Sequence, residues 1–183
     1  MANKQEKERI TEIKQNFLSN AISDIASNIQ LADTKVSIIM AAVVAILVGI
    51  LSCYEPIYVH IGNIKPCTWL GVIFILFVII GSISIITVFL FGILTIRGHS
   101  CIISYKSKWF LLKSTKEYSF DEFSRDIQKM TDDDIIKNMA AELYKLNDIN
   151  RRKMETMKWT LYSFSVLLIS IAVLAFLFVV NSL

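Results

Sequence analysis

Three stretches of this chain contain no Asp, Glu, Lys or Arg: Val36 to Tyr54, Thr68 to Ile96 and Trp159 to Leu183. No other feature restricts the fold so much, because an uncharged apolar run of about 18 residues or more suits a bilayer better than the core of a small domain. As α-helices rising 1.5 Å per residue the three would extend roughly 28, 43 and 37 Å, against a hydrocarbon core of about 30 Å. The composition agrees, since 54% hydrophobic with only 19% charged residues is too apolar for an ordinary soluble chain. An all-α integral membrane protein with three transmembrane helices follows. The middle span is too long to stand vertical and fully immersed, so it tilts or protrudes by a turn or two at its Ile96 end.

Basic residues fix the expected orientation. Lys4, Lys7, Arg9, Lys14 and Lys35 precede the first span, thirteen Lys and Arg lie from Arg97 to Lys158, and only Lys65 lies between spans one and two. The positive-inside rule then places segments 1–35 and 97–158 in the cytosol, and loop 55–67 and the C-terminal end outside. In this scheme 36–96 is a transmembrane helical hairpin and 159–183 the third span. The first apolar run begins only at Val36, after a charged region, so it is expected to be a retained span and not a cleaved signal. The net charge of +3 suits a protein facing anionic lipid and does not suggest nucleic-acid binding.

Cys53 and Cys67 bracket the outer loop, where a disulfide is permitted, although cysteine is also an apolar filler; Cys101 falls on the reducing side. His60 and His99 lie on opposite sides of the membrane, and no Cys/His metal spacing occurs, so no metal site is expected.

The polar segments have helical periodicity. Ile10, Ile13, Phe17, Ala21, Ile22, Ile25 and Ile29 recur every three or four residues, which predicts an amphipathic helix leading into span one. Thr131 followed by Asp132, Asp133 and Asp134 gives a capping-box start to a second helix with the apolar stripe Ile136, Met139, Leu143, Leu146 and Ile149. No Pro or Gly interrupts the chain from Thr131 onward, so this helix and span three can form one rod. The two stripes can pack on each other or lie flat on the membrane. Between the helices, Arg97, Lys106, Lys108, Lys113 and Lys116 interleave with Tyr105, Trp109, Phe110, Tyr118, Phe120 and Phe123. Such a mixture can hold a phosphate and stack a base, or can form an interfacial belt at headgroup level.

Span one carries Ser37, Ala41, Ala45 and Gly49 at four-residue intervals, a small-residue face suited to close helix contact within the chain or with another copy. The spans hold no ionisable group, which disfavours a proton relay or voltage sensor. Ser82, Ser84, Thr87, Ser163, Ser165 and Ser170 could line a pore or be bonded within their own helices. No Gly-rich phosphate loop, GxSxG or nucleophile-histidine pairing occurs, and the acidic residues look like helix caps and solvated faces. An enzyme is not expected.

Asp33 and Lys35 sit at the lip of span one. Residues two apart on a helix point about 200° from one another, so each needs its own partner. Lys35 can snorkel to headgroups, but a carboxylate at an anionic surface needs a cation. Arg97 and Lys158 are the basic groups placed at that depth, so an inter-helix latch of Asp33, Lys35, Arg97 and Lys158 is inferred.

The run Leu31-Ala32-Asp33-Thr34-Lys35, with Met139-Ala140-Ala141-Glu142-Leu143-Tyr144-Lys145-Leu146 leading through Lys153 into the last span, resembles the transmembrane effectors of bacterial Pycsar anti-phage systems. Val36 departs from the small residue that commonly follows the lysine there. The resemblance implies activation by a cyclic pyrimidine mononucleotide (cyclic UMP or cyclic CMP) from a partner cyclase, followed by impairment of the inner membrane and abortive infection. Its ligand carries a negative charge and a stackable base, so a site with a cation and an aromatic ring is expected. The candidates are Lys106, Lys108 and Trp109 in the connecting segment, and Arg151, Arg152 and Lys153 before span three. Because one copy cannot enclose an aqueous path, a homo-oligomer is expected, with the Ser37, Ala41, Ala45 and Gly49 face at a contact. The competing expectation is a constitutive small membrane scaffold that binds partners through its cytosolic helices.

The charge division generates a topology test. In sealed cells a membrane-impermeant thiol reagent should spare Cys101 and label Cys53 or Cys67 if reduced; labelling of Cys101 would overturn the three-span arrangement.

Overall fold

The computed structural model describes residues 2–52, 69–97 and 119–182. The expected outer loop 55–67, Cys53, Cys67, Cys101, both histidines and most of the basic-aromatic segment, including Lys106, Lys108 and Trp109, lie outside the described residues. The described residues form four α-helices and no strand: α1 (Ala2–Ser52), α2 (Trp69–Ile96), α3 (Phe120–Gln128) and α4 (Asp132–Ser182). α1 and α4 are 51 residues each, about 75 Å at 1.5 Å per residue, more than twice a bilayer's hydrocarbon thickness. Each therefore combines a polar half with an apolar half in one continuous helix. Three helices, α1, α2 and α4, are long and apolar enough to cross a membrane.

The chain divides into two compact units. The polar unit comprises Met1–Gln30 and His99–Arg151. Its helix starts are built as local sequence dictates: Thr131 Oγ1 accepts from the Asp134 N–H at 3.3 Å while Asp134 Oδ2 accepts from the Thr131 N–H at 3.2 Å, the reciprocal capping box. Ser119 and Glu122 form a second such box at the start of α3, and three aspartates in the first turn of α4 face the positive helix end. The N-terminal apolar stripe splits. Ala21, Ile22, Ile25 and Ile29 are half-buried, whereas Ile10, Ile13 and Phe17 are 46, 58 and 68% exposed.

The apolar unit comprises Leu31–Gly98 and Arg152–Leu183. Its seam uses small and β-branched residues at three- and four-residue spacing: Ala32, Val36, Ile39 and Val43 on α1, and Gly81, Ser84, Val88, Gly92 and Thr95 on α2. From α4 come Lys153, Thr160, Leu167 and Ser170. Such residues let backbones approach closely, which is how helices associate where lipid offers no hydrophobic penalty to escape. Ile39, Val43, Val88 and Leu167 form the buried cluster, with Leu47, Ile85, Phe89, Phe164 and Ile171 around it. Only 17, 17 and 11% of the most apolar windows of α1, α2 and α4 are buried, so most of their Ile, Leu and Val faces outward. In water that surface would be an aggregation liability; in hydrocarbon it is the solvent-matched face.

Five of the hydroxyls within the spans are satisfied locally. Ser82, Ser84, Thr87, Ser165 and Ser170 each donate to the carbonyl four residues back at 2.8–3.0 Å. The Ser37, Ala41, Ala45 and Gly49 face is exposed, and a Cβ built on Gly49 meets nothing within 4 Å. The chain's own packing uses the neighbouring stripe from Ala32 to Val43.

Gly92 marks a close approach of α1 and α2. A Cβ there would lie 2.8 Å from Met40 Sδ and 3.4 Å from Val36 Cγ1. Met40 can swing aside for one methyl, but Val36 cannot retreat for a branched chain. Gly92→Ala should therefore change the thermal midpoint little, while Gly92→Leu should destabilise by about 1–3 kcal/mol, the usual range for overpacking. Melting followed by circular dichroism in detergent checks the contrast.

Candidate functional site

Lys153 occupies a core position. It begins a seven-residue series with Thr160 and Leu167, and its side chain is only 6% exposed. A buried ammonium without a partner is costly, so the opposing helix has to supply an anion. Asp33, next to buried Ala32 and one turn before buried Val36, supplies it. Lys153 Nζ donates to Asp33 Oδ1 at 2.5 Å and to Oδ2 at 2.7 Å, a charge-assisted contact with both carboxylate oxygens. The Asp33 side chain is 35% exposed, so the carboxylate lies on the rim and the ammonium inside.

The layer below is also polar and inter-helical. Thr95 Oγ1 of α2 donates to Thr156 Oγ1 of α4 at 2.8 Å, and Thr156 Oγ1 in turn donates to the Lys153 carbonyl at 3.0 Å. The three apolar-unit helices are thus tied at one end by an α1–α4 ion pair, an α2–α4 hydroxyl pair and the α1–α2 contact at Gly92. Phe91 and Trp159 stack beside this layer with centroids 6.0 Å apart, and Trp159 meets Tyr162 edge-on at 6.3 Å. A partly exposed Trp and Tyr at the end of an apolar span match an interfacial belt.

These positions revise the inferred latch. The partner of Asp33 is Lys153; Arg97 and Lys158 are exposed, and neither makes an ion pair with Asp33. Depth along the membrane picked the wrong candidates because rotation about the helix decides who meets whom. Lys158 is five residues beyond Lys153, about 140° further round α4. Lys35 is exposed, on the side of α1 away from Asp33.

The proposed basic group at 151–153 does not converge. Successive residues point about 100° apart: Arg151 is exposed and pairs with Asp148 at 3.0 Å, Arg152 is exposed, and Lys153 is committed to Asp33. Lys106, Lys108 and Trp109 lie outside the described residues.

The polar unit holds a second set that the sequence treats as solvated. Asn138 and Glu142, one turn apart on α4, are 3 and 4% exposed. Asn138 Nδ2 donates to the Asp134 carbonyl at 2.8 Å. Glu142 Oε2 lies 3.9 Å from Lys145 Nζ and receives no hydrogen bond, and Asn150 Oδ1 is likewise buried without a donor. Glu142 therefore corrects the expectation that the acidic residues are caps and solvated faces. Buried acceptors without donors are rare in folded proteins.

A family model described as the Pycsar effector protein domain matches residues 17–180. No curated protein and no solved structure matches the chain. The matched range includes Asp33, Lys153, Glu142 and all three apolar helical segments.

The ion pair is asymmetric, and so should be its mutants. Asp33→Asn leaves an ammonium buried without its anion, whereas Lys153→Met leaves a carboxylate that can turn to water. Breaking a fully buried pair from one side costs about 3–5 kcal/mol, and the exposure of Asp33 reduces this. We expect Asp33→Asn to lower stability by about 2–3 kcal/mol and Lys153→Met by about 1 kcal/mol or less. The double variant Asp33→Lys with Lys153→Asp should recover part of the loss of Asp33→Lys alone. Equal effects of the two single changes in detergent melts would contradict the asymmetry.

Proposed function

The chain belongs to the Pycsar effector protein domain family and is a membrane effector of anti-phage defence; from that premise we propose that a cyclic pyrimidine mononucleotide, made by a partner cyclase, binds its cytosolic polar unit and switches its membrane part to a disruptive state. The observation that carries this is the Asp33–Lys153 pair. α1 and α4 are the two described helices with residues in both units, and the pair joins them two or three residues inside the apolar unit. Any sliding or rotation of α1 against α4 caused by a ligand has to pass this contact. A coupling of about 1–3 kcal/mol, ordinary for allostery, is within what such a pair can transmit.

The ligand's chemistry divides among named groups. The phosphate is met by cations from the set Lys106, Lys108, Arg151 and Arg152, and the base stacks on Trp109. Lys153 leaves this set, because its charge is taken by Asp33. Glu142 Oε2, which faces Lys145 Nζ at 3.9 Å but accepts no hydrogen bond, and Asn150 Oδ1 suit the N–H donors of a pyrimidine edge. Glu142 is the sharper of the two, since a carboxylate accepts more strongly than an amide oxygen.

Impairment of the inner membrane requires several copies. The uncharged stretches of the three spans offer no charge with which to line an aqueous path, and the hydroxyls of Ser82, Ser84, Thr87, Ser165 and Ser170 are bonded within their own helices. The exposed Ser37, Ala41, Ala45 and Gly49 face is available for a close contact between copies.

The test is a titration of the full chain in detergent with cyclic UMP, cyclic CMP, cyclic AMP and cyclic GMP, paired with dye leakage from vesicles. A cyclic pyrimidine nucleotide should bind and be required for leakage. Glu142→Leu should weaken binding about tenfold, ~1.4 kcal/mol. Asp33→Asn should leave affinity within about twofold but change leakage, a coupling effect of the size given above. Ala45→Leu with Gly49→Leu should reduce assembly and leakage together. A chain that binds no nucleotide and never harms cells on expression would be a constitutive scaffold.

A further inference from the structure

Three cations stand at nearly one height of the apolar unit, one from each of its helices. Asp33 meets Lys153, and Thr95 meets Thr156, so these two contacts put α1, α2 and α4 on a common axial scale. At 1.5 Å per residue, Lys35 lies about 3 Å deeper than the ion pair, toward the middle of the spans, and Lys158 about 7.5 Å deeper. α2 runs the other way, since Gly81 faces Ser170 while Thr95 faces Thr156. Arg97, two residues past Thr95, therefore lies about 1.5 Å deeper than the pair. It continues the last turn of α2, its N–H donating to the Ile93 carbonyl at 2.9 Å.

All three are exposed, and none has an ion-pair partner among the described residues. One carboxylate, Glu155, falls in the same band, so the band keeps a net positive charge. Each cation also tops an outward apolar face. Ile38 follows Lys35, Ile93 precedes Arg97, and Tyr162 follows Lys158, each about one turn deeper and each exposed. A cation above hydrocarbon is the order that a phospholipid presents in reverse sign, a phosphate above acyl chains.

The directions of the three select the partner. Arg97 is nine residues past buried Val88 and Lys158 nine before buried Leu167, each about 180° round its helix from that seam residue. Lys35 is on the side of α1 away from Asp33. A soluble anion reaches one such face at a time, whereas the headgroup layer of a bilayer surrounds the unit and meets all three. A second copy in the same orientation would bring cation against cation at one height, whichever two of these faces met, and like charges brought together at a contact are repulsive.

We infer that Lys35, Arg97 and Lys158 form a girdle that binds the phosphates of anionic phospholipids in the leaflet at this end of the unit. Its contacts hold the Asp33–Lys153 pair at headgroup height. The inference rests on the placement of the three apolar helices in a membrane and not on nucleotide binding, so it is tested without nucleotide.

The experiment uses the full chain in nanodiscs of phosphatidylethanolamine with a minor share of phosphatidylglycerol. Phospholipids that stay bound after transfer to detergent are counted by native mass spectrometry, which separates the two by mass. Phosphatidylglycerol should be enriched about fivefold or more over its bulk share, the usual attraction of one Lys or Arg for an anionic surface. Replacing Lys35, Arg97 and Lys158 together by Gln should return the retained lipid to the bulk ratio, and each single change should lower the enrichment part of the way. Lys35→Arg with Lys158→Arg should preserve it. Removing three exposed cations of the polar unit, Lys7→Gln, Arg9→Gln and Lys14→Gln, should leave it unchanged. Retained lipid at the bulk ratio in the unaltered chain, or an equal loss in the polar-unit variant, would overturn the girdle. Amine cross-links joining Lys158 of two copies within the nanodisc would overturn it in favour of a second copy.

Discussion

An ammonium group in the seam of a helical bundle is tolerable only where a carboxylate meets it, and the end of the apolar unit is arranged around that requirement. Lys153 cannot leave the seam, because the series continuing through Thr160 and Leu167 fixes the rotation of α4. Asp33 must therefore be presented at one height and one angle of α1, which sets the register of Val36 and Met40 against Gly92. The Thr95–Thr156 pair then ties α2 to the same level. Hydrophobic matching alone would not specify this register, since Ile, Leu and Val slide past one another at little cost in hydrocarbon. One charge pair adds the specificity, the best-attested use of buried polar groups.

Helix content and span number were legible because they follow from coarse signals, uncharged length in the spans and, from Thr131 onward, the absence of Pro and Gly. The Thr131–Asp134 capping box was legible as well, being local chemistry over four residues. The partner of Asp33 was not identified, although the information was present. Continuing the stripe Ile22, Ile25 and Ile29 along α1 brings Asp33 into the same arc as Ala32 and Val36. Continuing Met139, Leu143 and Leu146 along α4 brings Asn150 and Lys153 into the buried arc, and Glu142 already lies there. A charged residue inside an apolar arc is a buried charge awaiting its opposite. Counting depth from the membrane surface ignored that rotation and favoured Lys158 and Arg97. The small-residue stripe of span one left its partner open for a different reason: one helix can carry two usable faces, and composition does not say which one the chain keeps for itself.

The two buried sets differ in how they are satisfied. In the apolar unit Lys153 has both carboxylate oxygens of its partner and the hydroxyls have carbonyls. In the polar unit Glu142 Oε2 and Asn150 Oδ1 have nothing within hydrogen-bonding reach. Leaving a buried acceptor unmet costs about 1–3 kcal/mol, and more for a charged group. In the proposed function, a donor on the ligand is what relieves that cost.

The rim position of Asp33 bears on how such a signal could be used. A pair buried on both sides is held too firmly, at about 3–5 kcal/mol to break, to be reset by a ligand contributing only a few bonds. A pair exposed on both sides is worth about 0–1 kcal/mol and would transmit almost nothing. With Lys153 6% and Asp33 35% exposed, this pair lies between those limits. Its carboxylate can exchange the ammonium for water when α1 and α4 shift, while the ammonium has no comparable escape. Release would therefore leave an unpaired charge within the seam of an otherwise apolar bundle, and the least costly relief is for the helices to part and admit water or headgroups beside Lys153. In the proposed switch, the charge that holds the bundle in register when paired is the same one that drives its end apart when unpaired.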